Sequence, residues 1–284
     1  SMVFWQLRLP RAVIAILIGA ALSVSGASYQ GILRNPMVAP DILGASSGAS
    51  LGAAIGILSG FHAFTIQIFA FICGLAAVGI AFFVSRSLQN GNRSSVLTLV
   101  LTGMVITSLF SAGISIIKYI GDPYDTLPAL TFWLMGGLTY VKQIDMLILI
   151  IPFLGAMIPL MLIRWKMNIL CFSDEEASSM GIDAKKTRGL IILLSTLLTC
   201  SSVAIGGMIG WVGLVIPHIC RMMTGPDHKK LLPLSFLTGG VFLTVVDDVS
   251  RCVSSQELPL GVLTAIVGAP CFLYLLAKGK RGFL

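Results

Sequence analysis

The sequence predicts an all-α membrane protein, a polytopic bundle of helices, and three observations predict it. The chain of 284 residues is 56% hydrophobic but only 11% charged. A soluble domain carries roughly 25% charged residues, so this chain has too few charges to solvate its own surface. Its apolar runs are long and lack the period-two alternation of barrel strands, so they read as helices, each needing about 20 apolar residues to cross. Lys and Arg are also distributed unevenly between alternate connections, as expected for a chain that weaves through a bilayer.

Nine apolar runs are candidate crossings: about 10–33, 45–60, 64–85, 95–118, 143–164, 188–206, 208–223, 231–250 and 259–277. The runs at 45–60 and 208–223 are short, and are expected to tilt little or to be partly re-entrant. The stretch 119–142 is the longest interruption. Its core, DTLPALTFWLMGGL, reads as a short interfacial helix in an extracytoplasmic loop. No run suggests a separate soluble domain, so 1–284 reads as one transmembrane domain. The first crossing begins abruptly behind a lone serine and Met2, with no signal pattern. The start therefore reads as cut, with an upstream helix expected.

Within the second run Gly44, Gly48, Gly52, Gly56 and Gly60 recur every four residues. They form a glycine face on which another helix can pack closely. The same stretch, Gly44-Ala45-Ser46-Ser47-Gly48, formally fits a nucleophile elbow. That motif needs a preceding strand and His and Asp partners, and neither is in reach. Before it, Pro36 and Pro40 in RNPMVAPDILG (34–44) predict a stiff inner turn. The six cysteines are scattered without a CxxC pair and read as small core residues.

Nine crossings put the termini on opposite sides. Fourteen of the 19 Lys and Arg then share one side: Arg34, Arg86, Arg93, the group from Arg164 to Arg188, Arg221, Lys229, Lys230 and the C-terminal Lys278, Lys280 and Arg281. The other side keeps Arg8, Arg11, Lys118, Lys142 and Arg251. The positive-inside rule makes the richer side cytoplasmic. The net charge of +7 follows mostly from this asymmetry and needs no nucleic acid partner.

One cytoplasmic connection stands out. FSDEEASSMGIDAKKTR (172–188) carries seven charges in seventeen residues. Ser173 followed by Glu176 is a capping box, Asp174 and Glu175 suit the positive end of a helix dipole, and Gly181 can close the helix in the left-handed conformation. About two turns of capped helix are predicted, with Ala177 and Met180 three apart on one small apolar face. Such a rod suits insertion into a groove on another protein. The same spacing also fits an ordinary connector, and spacing alone does not separate the two.

The other motifs lie at the ends of crossings. Arg8 and Arg11 in LRLPR and Arg251 in DDVSRCV are cations on the side that disfavours them. Lipid headgroups or snorkelling are the plain explanation. Asp247, four residues before Arg251, is placed to hold it. In GLVIPHICRMMTGPDHKK, Pro217 is positioned to kink the seventh run. His218, Asp227 and His228 there have a spacing that fits no common metal site, so no metal is assigned.

EASSMG (176–181) resembles the EAA…G signature of ABC importer membrane subunits. The stretches 7–50, FWLMGGL (132–138), GWVGLVIPHICRMMTGPDHKKLLP (210–233), DDVSRCV (247–253) and ELPLGVLTAIVGAPCFLYLL (257–276) resemble the FecCD-type permeases in order along nearly the whole chain. The resemblance implies a type II ABC importer permease, usually of ten crossings, that passes an iron–siderophore complex, haem or cobalamin. It makes 173–184 the coupling-helix region, with Ser173, Glu175, Glu176, Ala177, Met180 and Gly181 facing an ATP-binding cassette and His218, Arg221 and Asp227 forming a second surface near it. It makes Arg8, Arg11 and Arg251 receptors for glutamates of an extracytoplasmic binding protein, and Ser95 and Val96 gate residues at the cytoplasmic mouth. The fourth and ninth runs, with the short helix after the fourth, border the path. The implied partners are a second copy of the permease, two cassettes that hold the ATP and Mg, the binding protein and membrane lipid, in a bacterial inner membrane. No cofactor belongs to this chain, and with no GxxxxGK[ST] run it cannot cradle ATP itself. The rival reading is an ion-coupled secondary transporter, which would need ionisable groups near mid-membrane. Here the deepest are Lys118, Asp247 and Asp248, all near span ends.

Overall fold

The computed structural model describes residues 4–88, 95–253 and 256–279. A π-helical turn, Phe4–Arg8, leads into α1 (Leu9–Ile32). There follow α2 (Ala45–Leu58), α3 (Ala63–Ser87), α4 (Ser95–Ile120), α5 (Thr126–Met135) and α6 (Gln143–Ile169), then α7 (Asp174–Ser179), α8 (Ala184–Gly206), α9 (Val212–Thr224), α10 (His228–Cys252) and α11 (Leu260–Gly279). Each of the nine predicted runs falls on a helix. Among the described residues six helices are long and apolar enough to cross a membrane: α1 with its leading turn, α3, α4, α6, α8 and α10. The helices α2, α5, α9 and the described apolar part of α11 are shorter.

The centre of the bundle is α1 with α8. Their apolar windows are 78% and 72% buried, against 22% for α4, which lies at the periphery of the chain. α1 packs on α10, α8, α9 and α6. Small residues bring the backbones together: a Cβ on Gly19 would sit 2.2 Å from the Gly239 carbonyl oxygen. Hydroxyl bonds then join α1 to α8, with Ser25 2.8 Å from Thr199 and Tyr29 2.7 Å from Thr196. The predicted glycine face of α2 does pack on a neighbour. A Cβ on Gly48 or Gly52 would strike the Cys73 or Phe69 carbonyl of α3 at 2.6 and 2.4 Å.

Two breaks distinguish the structure from nine plain crossings. After α1 the chain doubles back. Gly213, opposite Leu22 of α1, also packs on Pro40, and Gly44 opens α2 beside Ile106 and Thr107, halfway along α4. The predicted inner turn therefore folds back into the bundle, between the middle of α1 and the middle of α4. Fourteen residues of α2 span about 21 Å at 1.5 Å each, so loop backbone covers the remaining depth. Irregular backbone is stable there because it is buried in protein and internally bonded. Gly44 N–H donates to the Asp41 carbonyl at 2.8 Å, and Gln30 Nε2 donates to the Val38 carbonyl at 3.2 Å.

The second break separates α8 from α9. Gly206 lies against Ile18, near the middle of α1, and Gly207 and Trp211 take positive φ of 67° and 68°. The apolar run predicts a helix from 208, but α9 starts at Val212 because this turn intervenes. α5 ends at the same place. Gly137 N–H donates to the Gly206 carbonyl at 2.9 Å, and Leu260 N–H to the Gly136 carbonyl at 2.9 Å. The helix expected to be interfacial thus points its C-terminal end at the joint between α8 and α11.

Candidate functional site

The capping box on α7 is formed. Ser173 N–H donates to Glu176 Oε2 at 2.8 Å, and Glu176 N–H donates back to Ser173 Oγ at 3.2 Å. At the other end Ile182 N–H reaches the Ala177 carbonyl at 3.0 Å and Gly181 N–H the Ser178 carbonyl at 2.9 Å. This is a Schellman closure, and Gly181 adopts the φ of 78° it requires. The Ser173 amide and hydroxyl bonds hold the Glu176 carboxyl below the usual range.

Two arginines fix α7 to the bundle. Arg188, a buried residue of α8, donates to Asp174 at 2.9 Å. Arg34, just beyond α1, donates to the Leu170 carbonyl at 3.0 Å and to the Phe172 carbonyl, and its guanidinium lies 3.7 Å from Asp174. Arg34 itself takes a φ of 53°, uncommon for a residue with a side chain. The bond from Arg188 holds the Asp174 carboxyl below its ordinary range, with the Arg188 and Arg34 charges assisting. So α7 is tied to the ends of α1, α6 and α8 through one carboxylate.

This fixing separates residues that the spacing placed on one face. Ala177 is fully buried against its own chain, whereas Met180 is 55% exposed. The physical reason is the Schellman contact, which turns Ala177 toward the buried Ile182. The apolar side chains left exposed beside α7 are Phe172 and Met180. Glu175 and Glu176 are exposed with them.

The second surface lies nearby. Arg34, which bonds the Leu170 and Phe172 carbonyls at the base of α7, lies four residues beyond Gln30, the α1 partner of Arg221 near the end of α9. Arg221 donates to Gln30 of α1 at 3.0 Å. Asp227 caps α10 and accepts from Asn168 of α6 at 2.6 Å, and the Lys229 amide and Asn168 hold its carboxyl low. Asn168 Oδ1 in turn meets both His228 N–H and His228 Nδ1 at 2.8 Å. His218 lies against the Phe272 ring, 6.1 Å between centroids. Of the two residues expected to form the gate, Val96 is half-buried against the core, and Ser95 opens α4, its side chain outside the described residues. Arg93 lies outside the described residues, as do Lys280 and Arg281 and the side chain of Lys278. Leu99, one turn on from Ser95, lines a cleft of about 420 Å³ with Arg86, Lys185 and Arg188.

At the opposite end of α1 the three arginines expected to dock a binding protein differ sharply. Arg8 is exposed. Arg251 is 35% exposed and pairs with Asp248 and, at 3.6 Å, with Asp247. Arg11 is only 11% exposed. It grips Asp247 through Nη2 at 2.8 Å and through Nε at 3.0–3.1 Å, and Glu257 through Nη1 at 2.9–3.0 Å. Asp247 is 2% exposed, so its main partner is Arg11 rather than the Arg251 its spacing suggests. Glu257 also accepts from Thr139 at 2.8 Å. Burial pushes the Glu257 carboxyl up, but the bonds from Arg11 and Thr139 outweigh it and hold it below the usual range. Sequence reasoning passed over Arg34, Arg188, Glu257, Asn168 and Gln30. Arg34, Glu257, Asn168 and Gln30 bond Leu170, Arg11, Asp227 and Arg221 across 59 to 246 residues, and Arg188 pairs with Asp174 at a separation of 14, outside the i to i+4 range.

A helical bundle with broken half-length helices, a capped rod at one end and an arginine cluster at the other is the architecture of a membrane permease subunit of an ABC importer. The profile of the FecCD transport family matches residues 1–278, and the chain belongs to that family. It is 40% identical over 280 residues to the molybdate import system permease protein MolB of Haemophilus influenzae, covering 99% of this chain and 82% of that one. It is also 40% identical over 280 residues to a protein of Helicobacter pylori named "Probable iron chelatin transport system permease protein", covering 99% of this chain and 84% of that one. A solved structure described as "An inward-facing conformation of a putative metal-chelate type ABC transporter" superposes with a TM-score of 0.93 at 38% identity, covering 98% of this chain and 88% of that one.

Proposed function

We propose that the chain forms the translocation path of a bacterial inner-membrane importer for an iron–siderophore or similar metal chelate. It works as a pair of copies, above two ATP-binding cassettes and below an extracytoplasmic binding protein. The nine apolar runs act as crossings or re-entrant pieces, with α7 and the C-terminus in the cytoplasm. ATP and Mg belong to the cassettes, whose closure moves α7. The motion passes through Asp174 to α1, α6 and α8 and switches access to the path. Ser95 and Val96 sit at its cytoplasmic mouth, and α4, α5 and α11 border it. Selectivity resides in the binding protein. A relative named for molybdate and another named for an iron chelate are equally similar, so a metal oxyanion is the competing cargo.

The observation that carries this reading is α7. It is capped at both ends, tied by Asp174 to helices that reach the opposite face, and still exposes Glu175, Glu176 and Met180. A connector that only joined α6 to α8 would not need Arg34 and Arg188 on one carboxylate. The secondary-transport reading has less support, because the buried acids are already engaged: Asp247 by Arg11, and Asp145 by Gln67 at 2.9 Å and the Lys142 amide at 2.7 Å.

The test is reconstitution. The chain is expected to co-purify with a cassette subunit, and proteoliposomes are expected to take up labelled iron chelate only with ATP and binding protein. Glu176→Arg should cut uptake several-fold while the protein still folds and assembles, because the capping box it removes is local to α7. Uptake driven by an ion gradient with no cassette present would overturn the proposal, and uptake of molybdate but not chelate would reassign the cargo.

A further inference from the structure

The three guanidinium nitrogens of Arg11, which share five N–H donors, each have a carboxylate partner: Nε and Nη2 on Asp247, Nη1 on Glu257. A carboxylate arriving from outside therefore meets a guanidinium whose three nitrogens are each already paired with a carboxylate. Its two resident partners are not equivalent. Asp247 is 2% exposed and sits inside α10, so it cannot leave without stranding a buried charge. Glu257 is 32% exposed and lies in the connection before α11. The residues that follow it pin the backbone: Leu258 N–H bonds the Ser250 carbonyl at 3.2 Å, Ser250 Oγ bonds the Leu258 carbonyl at 2.7 Å, and Leu260 N–H bonds the Gly136 carbonyl. The Glu257 side chain can thus swing away by a change of rotamer alone, with the main chain unmoved.

We infer that Glu257 is an internal competitor for Arg11: a carboxylate of the docking partner exchanges with it, while Asp247 stays in place. This rests on the docking reading above. Exchange of one carboxylate for another keeps the charge on Arg11 satisfied throughout, so docking involves no stage with a bare buried cation. It also sets affinity low, because each contact formed replaces one already present, which suits a partner that must leave after every delivery. Arg251 repeats the arrangement on a smaller scale, with exposed Asp248 as its resident carboxylate. When Glu257 is displaced it also releases Thr139, so docking loosens a tie between the connection before α11 and the segment after α5.

The experiment measures binding of the extracytoplasmic binding protein to the intact transporter in nanodiscs, for wild type, Glu257→Gln and Thr139→Val. Glu257→Gln keeps the shape but removes the competing charge, and is expected to tighten binding roughly tenfold, or 1.4 kcal/mol. Thr139→Val, an exposed substitution with little effect on folding, removes one bond holding Glu257 and should tighten binding by a smaller factor. It decides the matter if Glu257→Gln fails to assemble. Wild-type binding with neither variant tighter overturns the competitor role and leaves docking standing. No binding by wild type or variants overturns the docking reading, and this inference with it.

Discussion

At the α7 end of the bundle one carboxylate serves two arginines; at the other end one arginine serves two carboxylates. Asp174, the shared acid, is 43% exposed, whereas Arg11, the shared base, is 11% exposed and its first partner Asp247 only 2%. The difference teaches what each cluster is for. A half-exposed acid adds little stability of its own, so Asp174 serves chiefly to satisfy the buried Arg188 and to hold a small rod in one orientation. A buried pair is costly to form and more costly to break, so Arg11 and Asp247 fix α1 to α10 permanently. The exposed partner in each cluster is the one free to respond: Asp174 to movement of α7, Glu257 to an approaching carboxylate.

The largest expected effect breaks the buried cluster. Arg11→Met leaves Asp247 without its main cation, a loss of about 3–5 kcal/mol. Thermal unfolding of the purified transporter should fall steeply, and most of the protein should fail to assemble. An Arg11→Met transporter that unfolds at the wild-type temperature would erase the contrast between the two ends.

A middle-sized effect sharpens the contrast within the α7 cluster. Asp174→Asn leaves the buried Arg188 without its carboxylate, and Arg188 Nε already has no partner among the described residues. The expected cost is about 1–3 kcal/mol. Arg188→Met should cost under about 1 kcal/mol, because Asp174 is free to hydrate. Both should reduce transport per ATP hydrolysed several-fold, since α7 loses its tie to α8 in either case. Equal stability losses, or full coupling in both variants, would show that the cluster does not work as described.

What the sequence made legible was local. Ser173, Glu176 and Gly181 lie within nine residues, and caps depend on nothing further away. The α2 glycines were legible because a period of four keeps one helix face. The breaks were not: the run through Met208, Ile209 and Trp211 is apolar, and hydrophobicity carries no record of a positive φ at Gly207 and Trp211. Nor was the partner of Asp247. The i to i+4 rule points to Arg251, which is present at 3.6 Å, but Arg11, 236 residues away, makes the shorter contact. Residues that look like surface receptors by position were partly committed to internal bonds that only the packed bundle creates.

The smallest effect isolates the backbone of the rod from its charges. A Cβ on Gly181 would meet nothing within 4 Å, so Gly181→Ala carries no steric penalty beyond the φ of 78° itself. That conformation costs a side-chain-bearing residue about 1 kcal/mol, and the cost falls on the Schellman closure alone. The closure is local to the turn after α7, so the global unfolding temperature should stay within error of wild type. The Gly181 and Ile182 amides, which close the helix, should instead exchange with deuterium about fivefold faster, the factor that 1 kcal/mol produces. If exchange there is unchanged, the caps do not hold α7, and its rigidity rests wholly on Asp174 and the two arginines. If exchange rises and transport per ATP falls with it, rod stiffness and coupling are the same property.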